Sequence, residues 1–293
     1  MAGGKAKCPG IPPGRSPAPR PEHDLNTSFP HRLVTAFSLL ALVGCGPEPS
    51  RARPDGGPAG TERVAPEAQA PAPERLAAAE TALLAGEFER ADELLAEFVS
   101  MELPSGRAEF LFGLALHKRK RYPAAEPWFE AALRAPASFS GAASVHYFLG
   151  WCRYYLGDLE AARESFTEHR GLVPEEGDTV FGLGVVALDL GESERAAELF
   201  TEAIELHQRA MAEGATNLVP DLAKSFARLG DARAGLGDLT GARDALIRCV
   251  ETYPPFHVAW FRLGSVLTEL GDEAGAAAAF DQEARWKAAA AER

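Results

Sequence analysis

From about residue 72 onward, apolar residues recur three and four places apart, in stripes of 3.6-residue period. The stripes come in pairs. Within a pair a glycine followed by an acid breaks the pattern, as at Gly157-Asp158, Gly191-Glu192, Gly237-Asp238 and Gly271-Asp272. Glycine ends a helix where φ must be positive, and an acid suits the start of the next helix. The pattern therefore predicts helix–turn–helix pairs. Strand-like alternation of β-branched and aromatic residues is missing, which argues against a β-sandwich or barrel.

The pairs repeat in step. A small residue recurs at Ala79, Gly113, Gly150, Gly184, Gly230 and Gly264. Turn glycines follow at Gly86, Gly157, Gly191, Gly237 and Gly271, with Lys120 as the exception. Alanines recur at Ala91, Ala125, Ala162, Ala196, Ala242 and Ala276, and large apolar residues at Leu95, Phe129, Phe166, Phe200, Leu246 and Phe280. The spacings are 34, 37, 34, 46 and 34 in every series. The small residues are expected to let two helices approach closely, with the large ones filling the space between pairs. A single pair cannot bury its apolar face, so such units stack into a solenoid.

Two spacings exceed 34. Three extra residues fall near Pro136 to Phe139, and twelve fall around His207 to Pro220. The second helix of unit four is expected to run to about Ala212, where Gly214 stops it. The insertion reads as a tolerated loop, with a partner-contacting edge as the alternative.

This pattern resembles the tetratricopeptide repeat. The resemblance rests on stretches such as Trp260-Phe261-Arg262-Leu263-Gly264, Leu270-Gly271-Asp272, Ala276 and Phe280. It implies an all-α, right-handed superhelical solenoid of about six helix–turn–helix repeats over residues 72–293. The units fall near 72–105, 106–142, 143–176, 177–222, 223–256 and 257–290. It also implies a protein-interaction scaffold whose concave face holds a peptide or helix of a partner. The first helix of each pair forms most of that face. Its second, fifth, ninth, twelfth and thirteenth places carry Phe110, Leu114, Tyr147, Trp151, Tyr154, Tyr155 and Phe181 in units two to four. Aromatic rings with polar tips are enriched at binding hot spots, so these seven are the candidate groove residues. The alternative is that the rings pack between helices; Trp151 and Tyr155 are the two expected to be exposed. Some tetratricopeptide domains clamp acidic chaperone tails with Lys and Asn on the inner face; Phe110, Leu114, Tyr147 and Trp151 at those places argue against that use.

The first 71 residues differ in kind. They hold 13 of the 22 prolines. Residues 33–44 form an apolar run of signal-peptide length, too short to span a bilayer, behind His31 and Arg32. The run closes with Leu42-Val43-Gly44-Cys45, which resembles the lipobox of bacterial lipoproteins. The resemblance implies acylation of Cys45, removal of residues 1–44, and a membrane contact through the lipid. Gly46, in place of an Asp, points to the outer membrane of the cell envelope, facing the periplasm. The long stretch before the apolar run is the departure, and a translation start assigned too far upstream accounts for it. Residues 45–71, rich in Pro, Ala and Gly, read as a lipidated Cys followed by a linker.

Charge narrows the function. The net charge is -12, which argues against nucleic acid as a partner. The basic run His117-Lys118-Arg119-Lys120-Arg121 falls at a turn and reads as solvated, with an acidic lipid or partner as the alternative. Catalytic motifs are missing, the seven histidines are scattered without metal-ligand spacing, and no cofactor is expected. Cys152 and Cys249 lie within helical stripes and are expected to be buried. The expected function is a non-enzymatic scaffold, lipid-anchored in the envelope, with a pilotin-like assembly factor as the nearest analogy. The alternatives are a cytosolic adaptor and a non-catalytic subunit of an envelope enzyme complex. Oligomeric state is left open.

Overall fold

The computed structural model describes residues 72–96, 98, 106–135, 138–139 and 141–292. The expected signal peptide, Cys45 and the expected linker lie outside the described residues. Among the described residues there are twelve α-helices and no strand. They form six antiparallel pairs: α1 (Ala72–Ala85) with α2 (Phe88–Leu95), α3 (Arg107–Lys118) with α4 (Tyr122–Leu133), and α5 (Ala142–Leu156) with α6 (Leu159–Leu172). Then come α7 (Gly177–Asp189) with α8 (Ser193–Ala212), α9 (Val219–Gly235) with α10 (Leu239–Thr252), and α11 (His257–Glu269) with α12 (Glu273–Ala291). Each pair packs on the next, giving the all-α superhelical solenoid that the repeats predict.

The six turns share one geometry. Gly86, Lys120, Gly157, Gly191, Gly237 and Gly271 all have positive φ, between 57° at Lys120 and 88° at Gly157. In each, the N–H of the following residue reaches back to a carbonyl five residues earlier, as Asp158 to Arg153 at 2.9 Å and Arg121 to Leu116 at 2.9 Å. This satisfies carbonyls that the helix end leaves open. Lys120 adopts this geometry without glycine's freedom, at a cost of roughly 1–2 kcal/mol.

The residue after the turn behaves less uniformly than the sequence pattern. Asp158, Asp238 and Asp272 each accept a hydrogen bond from the N–H three residues on, capping α6, α10 and α12. Glu87 and Glu192 stand in the same place but make no such cap. The extra methylene carries a glutamate's oxygens past the position that an aspartate's oxygens occupy.

The paired small and large series meet within each unit. A Cβ built on Gly113 would lie 2.6 Å from the Phe129 ring, on Gly150 2.8 Å from Phe166, on Gly184 2.7 Å from Phe200, and on Gly264 2.6 Å from Phe280. The ring therefore lies directly over the glycine of its own pair. Phe166 also reaches the next pair, where a Cβ on Gly182 would lie 2.9 Å away. Phe129, Phe166 and Phe200 are fully buried. Burying such a ring contributes on the order of 2–3 kcal/mol, so the series forms the spine of the core.

Ion pairs between successive units fix their register. Arg107 meets Glu80 at 2.6 Å, Arg119 meets Asp92 at 2.9 Å, Arg163 meets Glu192 at 2.7 Å, and Arg170 meets Glu202 at 2.6 Å. All are partly exposed, so each adds less than about 1 kcal/mol.

The twelve-residue insertion is helical rather than a loop. α8 runs to Ala212 before the turn at Gly214, as expected, but α9 begins at Val219, ahead of its repeat boundary. The insertion thus lengthens a helical hairpin. Leu218 within the added stretch, and Leu206 and Leu222 at its two ends, are buried. They make a longer helix more favourable than an exposed loop.

Candidate binding face

The inner face is built from the first helices, α3, α5, α7, α9 and α11. Six of the seven candidate groove residues are buried: Phe110, Leu114, Tyr147, Trp151, Tyr154 and Phe181. This corrects the expectation that Trp151 is exposed; it retains 8% of its surface. The reason is crowding between neighbouring units. Trp151 lies edge-on to Phe166 at 5.2 Å and Tyr154 at 5.6 Å, and 6.5 Å from Phe181 of the next unit. Phe110 packs on Phe148 at 5.9 Å, and Phe181 on Phe200 at 5.6 Å. Tyr147 lies 5.3 Å from Phe148 and 6.1 Å from Phe166. Rings that point to the inside of the curve meet one another and close that part of the groove.

Tyr155 is the member that stays exposed, at 38%, with its ring stacked on Tyr122 at 4.4 Å. Tyr154 donates its hydroxyl to Asp189 at 3.0 Å, which satisfies the one polar atom of a buried ring. Burial, followed by the Asp178 charge, holds the Tyr147 hydroxyl well above its usual pKa.

Beyond α7 the inner face changes character. Rings give way to a charged strip: Lys224 pairs with Asp221 at 3.0 Å, and Arg228 and Arg262 share Asp231 at 3.2 and 3.0 Å. Burial raises the Asp221 carboxyl, and Lys224 opposes the shift. At the end of the strip stands Phe261, at the same repeat place as Phe110, Tyr147 and Phe181 but 55% exposed. It was not among the candidate residues; its place in the repeat was the available signal. Arg228 shares Asp231 with Arg262, and its charge opposes the burial that raises the Tyr155 hydroxyl.

The basic run divides into structural and solvated parts. His117 is buried among Tyr122, Phe129 and Phe148, and its Nδ1 lies 3.3 Å from Cys152 Sγ. Arg119 pairs with Asp92 and covers the Phe88 ring at 4.9 Å. Lys120 and Arg121 are exposed.

The His117–Cys152 contact has the composition of a nucleophilic dyad but not its electrostatics. Burial, with a smaller push from Lys118, lowers the imidazole to about 3; burial, with a smaller push from Glu126, raises the thiol to about 12. Both stay neutral, whereas a reactive thiolate needs a lowered thiol pKa. Cys249 is buried and likewise raised to about 12. Among the described residues, no three His, Cys, Asp or Glu side chains are grouped to hold a metal ion. No described helix is long and apolar enough to cross a membrane.

On the outer side, an open cleft of about 490 Å³ lies between α4 and α6, over α5. Arg153 crosses its floor and bonds Glu126 at 3.1 Å, Glu130 at 3.3 Å and Ser165 Oγ at 2.9 Å. Its donors are committed to holding the two units together.

The tetratricopeptide repeat family model matches residues 76–140, 147–212 and 227–291. The chain belongs to that family. Its fold is similar to a chain of the APC/C hetero-tetramer Cut9–Hcn1, with 19% identity and a TM-score of 0.60 over 73% of this chain and 40% of that one. This chain thus spans well under half the length of that relative. It is also similar to the C-terminal part of a TPR repeat-containing protein from Cytophaga hutchinsonii, with 12% identity and a TM-score of 0.56, covering 73% and 80% of the two chains. A third likeness is to MamA from Desulfovibrio magneticus RS-1, with 18% identity and a TM-score of 0.52 over 63% and 96%. At these identities the likeness establishes the fold alone. A search of curated proteins finds no match.

Proposed function

We propose that this tetratricopeptide protein is a non-enzymatic scaffold that holds a segment of a partner protein on its inner face. The observation that carries the reading is the exposure of Tyr155 and Phe261 on a face whose other large rings are buried. Buried rings and the buried ion pairs around Asp221 and Asp231 make the wall rigid, and the two exposed rings offer apolar anchors. Binding energy concentrates on a few such aromatic anchors. Phe261→Ala and Tyr155→Ala together are expected to abolish partner capture with little change in melting temperature. Capture at wild-type strength by that double variant would sink the groove reading.

The scaffold is lipid-anchored through Cys45 in the bacterial envelope, at the outer membrane facing the periplasm, in the manner of a pilotin-like assembly factor. The apolar run at 33–44 and the closing Leu42-Val43-Gly44-Cys45 support this. Metabolic labelling with a palmitate analogue tests it: label is expected on the wild type and not on Cys45→Ala. Label on neither would leave a cytosolic adaptor in its place.

A further inference from the structure

One position on the turn edge of the solenoid departs from the other five. After the turn residue, units one, three, four, five and six carry Glu87, Asp158, Glu192, Asp238 and Asp272. Unit two carries Arg121 there, and Lys120 at the turn itself. The substitution is made against backbone preference, because Lys120 holds φ 57° where the other five turns use glycine. It also gives up an acid near the N-terminus of α4, where a negative charge is favoured.

The two cations are not committed elsewhere. Their neighbours in the run are: His117 is enclosed by rings and Arg119 is held by Asp92 and Phe88. Lys120 and Arg121 are exposed and make no ion pair with another described residue. Arg121 is followed by Tyr122, which stacks on Tyr155. Tyr155 is followed by Leu156, 41% exposed. Two cations, an exposed tyrosine edge and an exposed leucine thus share one corner.

We propose that this corner, Lys120 and Arg121 with Tyr155 and Leu156, docks a short acidic segment of a partner protein that also carries an apolar residue. A flat anionic bilayer fits it poorly. The flanking turns carry Glu87 and Asp158, which would repel an extended negative surface on both sides. A narrow chain crossing the edge at unit two meets the cations and passes between the acids. The corner shares Tyr155 with the groove but not Phe261, so Phe261→Ala alone is expected to weaken groove capture and leave peptide binding at the corner unchanged.

The test uses the full chain with Cys45→Ser, so that no acyl chain contributes. The probe is a fluorescein-labelled peptide of alternating Glu and Leu, followed by fluorescence anisotropy. Binding is expected at low salt and is expected to fade as salt screens it. The same peptide with Gln for Glu is expected not to bind. Lys120→Gly with Arg121→Gln is expected to weaken binding about tenfold, as two partly exposed charge contacts are lost. Lys120→Gly alone is expected to weaken binding while leaving the melting temperature unchanged or raised, since it restores the residue the turn prefers. A merely structural role for Lys120 would not give those opposite signs. Equal binding by the double variant, or no binding by the wild type, would overturn the proposal. So would salt-sensitive pelleting with phosphatidylglycerol vesicles in the absence of peptide binding, which would make the corner a lipid contact.

Discussion

Units two to four and units five and six follow the same repeat, yet they fill its inner face with opposite materials. In the first group the repeat places hold Phe110, Tyr147, Trp151, Tyr154 and Phe181, which touch one another across unit boundaries and exclude water. In the second group Ala227 and the pairs around Asp221 and Asp231 take those places, and Phe261 stands open. The comparison separates two uses of one scaffold. Large rings on a concave surface converge and become core. In the second group the buried material is Ala227 with the ion pairs of Asp221, Lys224 and Arg228 instead of rings, and Phe261 beyond them stays available. Aromatic density along an inner face therefore marks stiffness first, and contact with a partner only where the neighbouring unit leaves a gap.

The largest effect that would break this comparison is at the spine. Phe166→Ala is expected to cost about 3–5 kcal/mol in urea unfolding, because Phe166 is fully buried and lies over both Gly150 and Gly182. Phe280→Ala, at the same repeat place in a half-buried setting, is expected to cost less than half of that. Equal costs would erase the distinction between middle and end.

Trp151→Ala is expected to cost about 3 kcal/mol, and Tyr155→Ala less than about 1 kcal/mol. Thermal melts of the two single variants check this. A Trp151→Ala protein as stable as wild type would return that ring to the list of exposed contacts.

Acid should act on the middle first. Burial lowers His117 to about 3, and burial, with a smaller push from His146, lowers His169 to about 4. In the unfolded chain both titrate near 6.5, so below that pH the unfolded state binds more protons. Stability is then full above pH 6.5 and falls as pH drops toward 4 and 3. The slope approaches about 1.4 kcal/mol per pH unit for each histidine. Urea midpoints at pH 7, 5.5 and 4.5 measure it, and His169→Gln should about halve the slope between pH 6 and 4.5, leaving the part due to His117. A midpoint that does not move between pH 7 and 4.5 would contradict the buried neutral assignment.

The smallest effect belongs to the caps. Asp158→Ala and Asp272→Ala should each cost about 1 kcal/mol, whereas Glu192→Ala should cost less, because Glu192 makes no capping bond. Chemical denaturation of the three variants resolves the order.

The spine was legible in the sequence because a period of 34 keeps each glycine in step with its phenylalanine, and only a close helix approach explains a glycine recurring inside a helix. Turn positions were legible for the same reason, Lys120 included. The accessibility of the groove rings was not. A repeat place tells which way a side chain points, but burial at Trp151 depends on Phe166 and Phe181, and so on how tightly successive pairs curl together. The helix end at Ala212 and the stop at Gly214 were legible, but the early start of α9 was not, since Pro220 stands in its first turn, where proline is tolerated. Phe261 was passed over because its three counterparts sit in richer aromatic company.

The shortness of α2 has a mechanical consequence. It spans Phe88–Leu95, eight residues, against the 20 of α8. Tension applied at residue 72 would therefore peel the first pair away while the stacked rings of the middle still held. Under load the solenoid would lengthen by a defined step before its inner wall was disturbed, so the first pair would serve as a fuse for the pairs behind it.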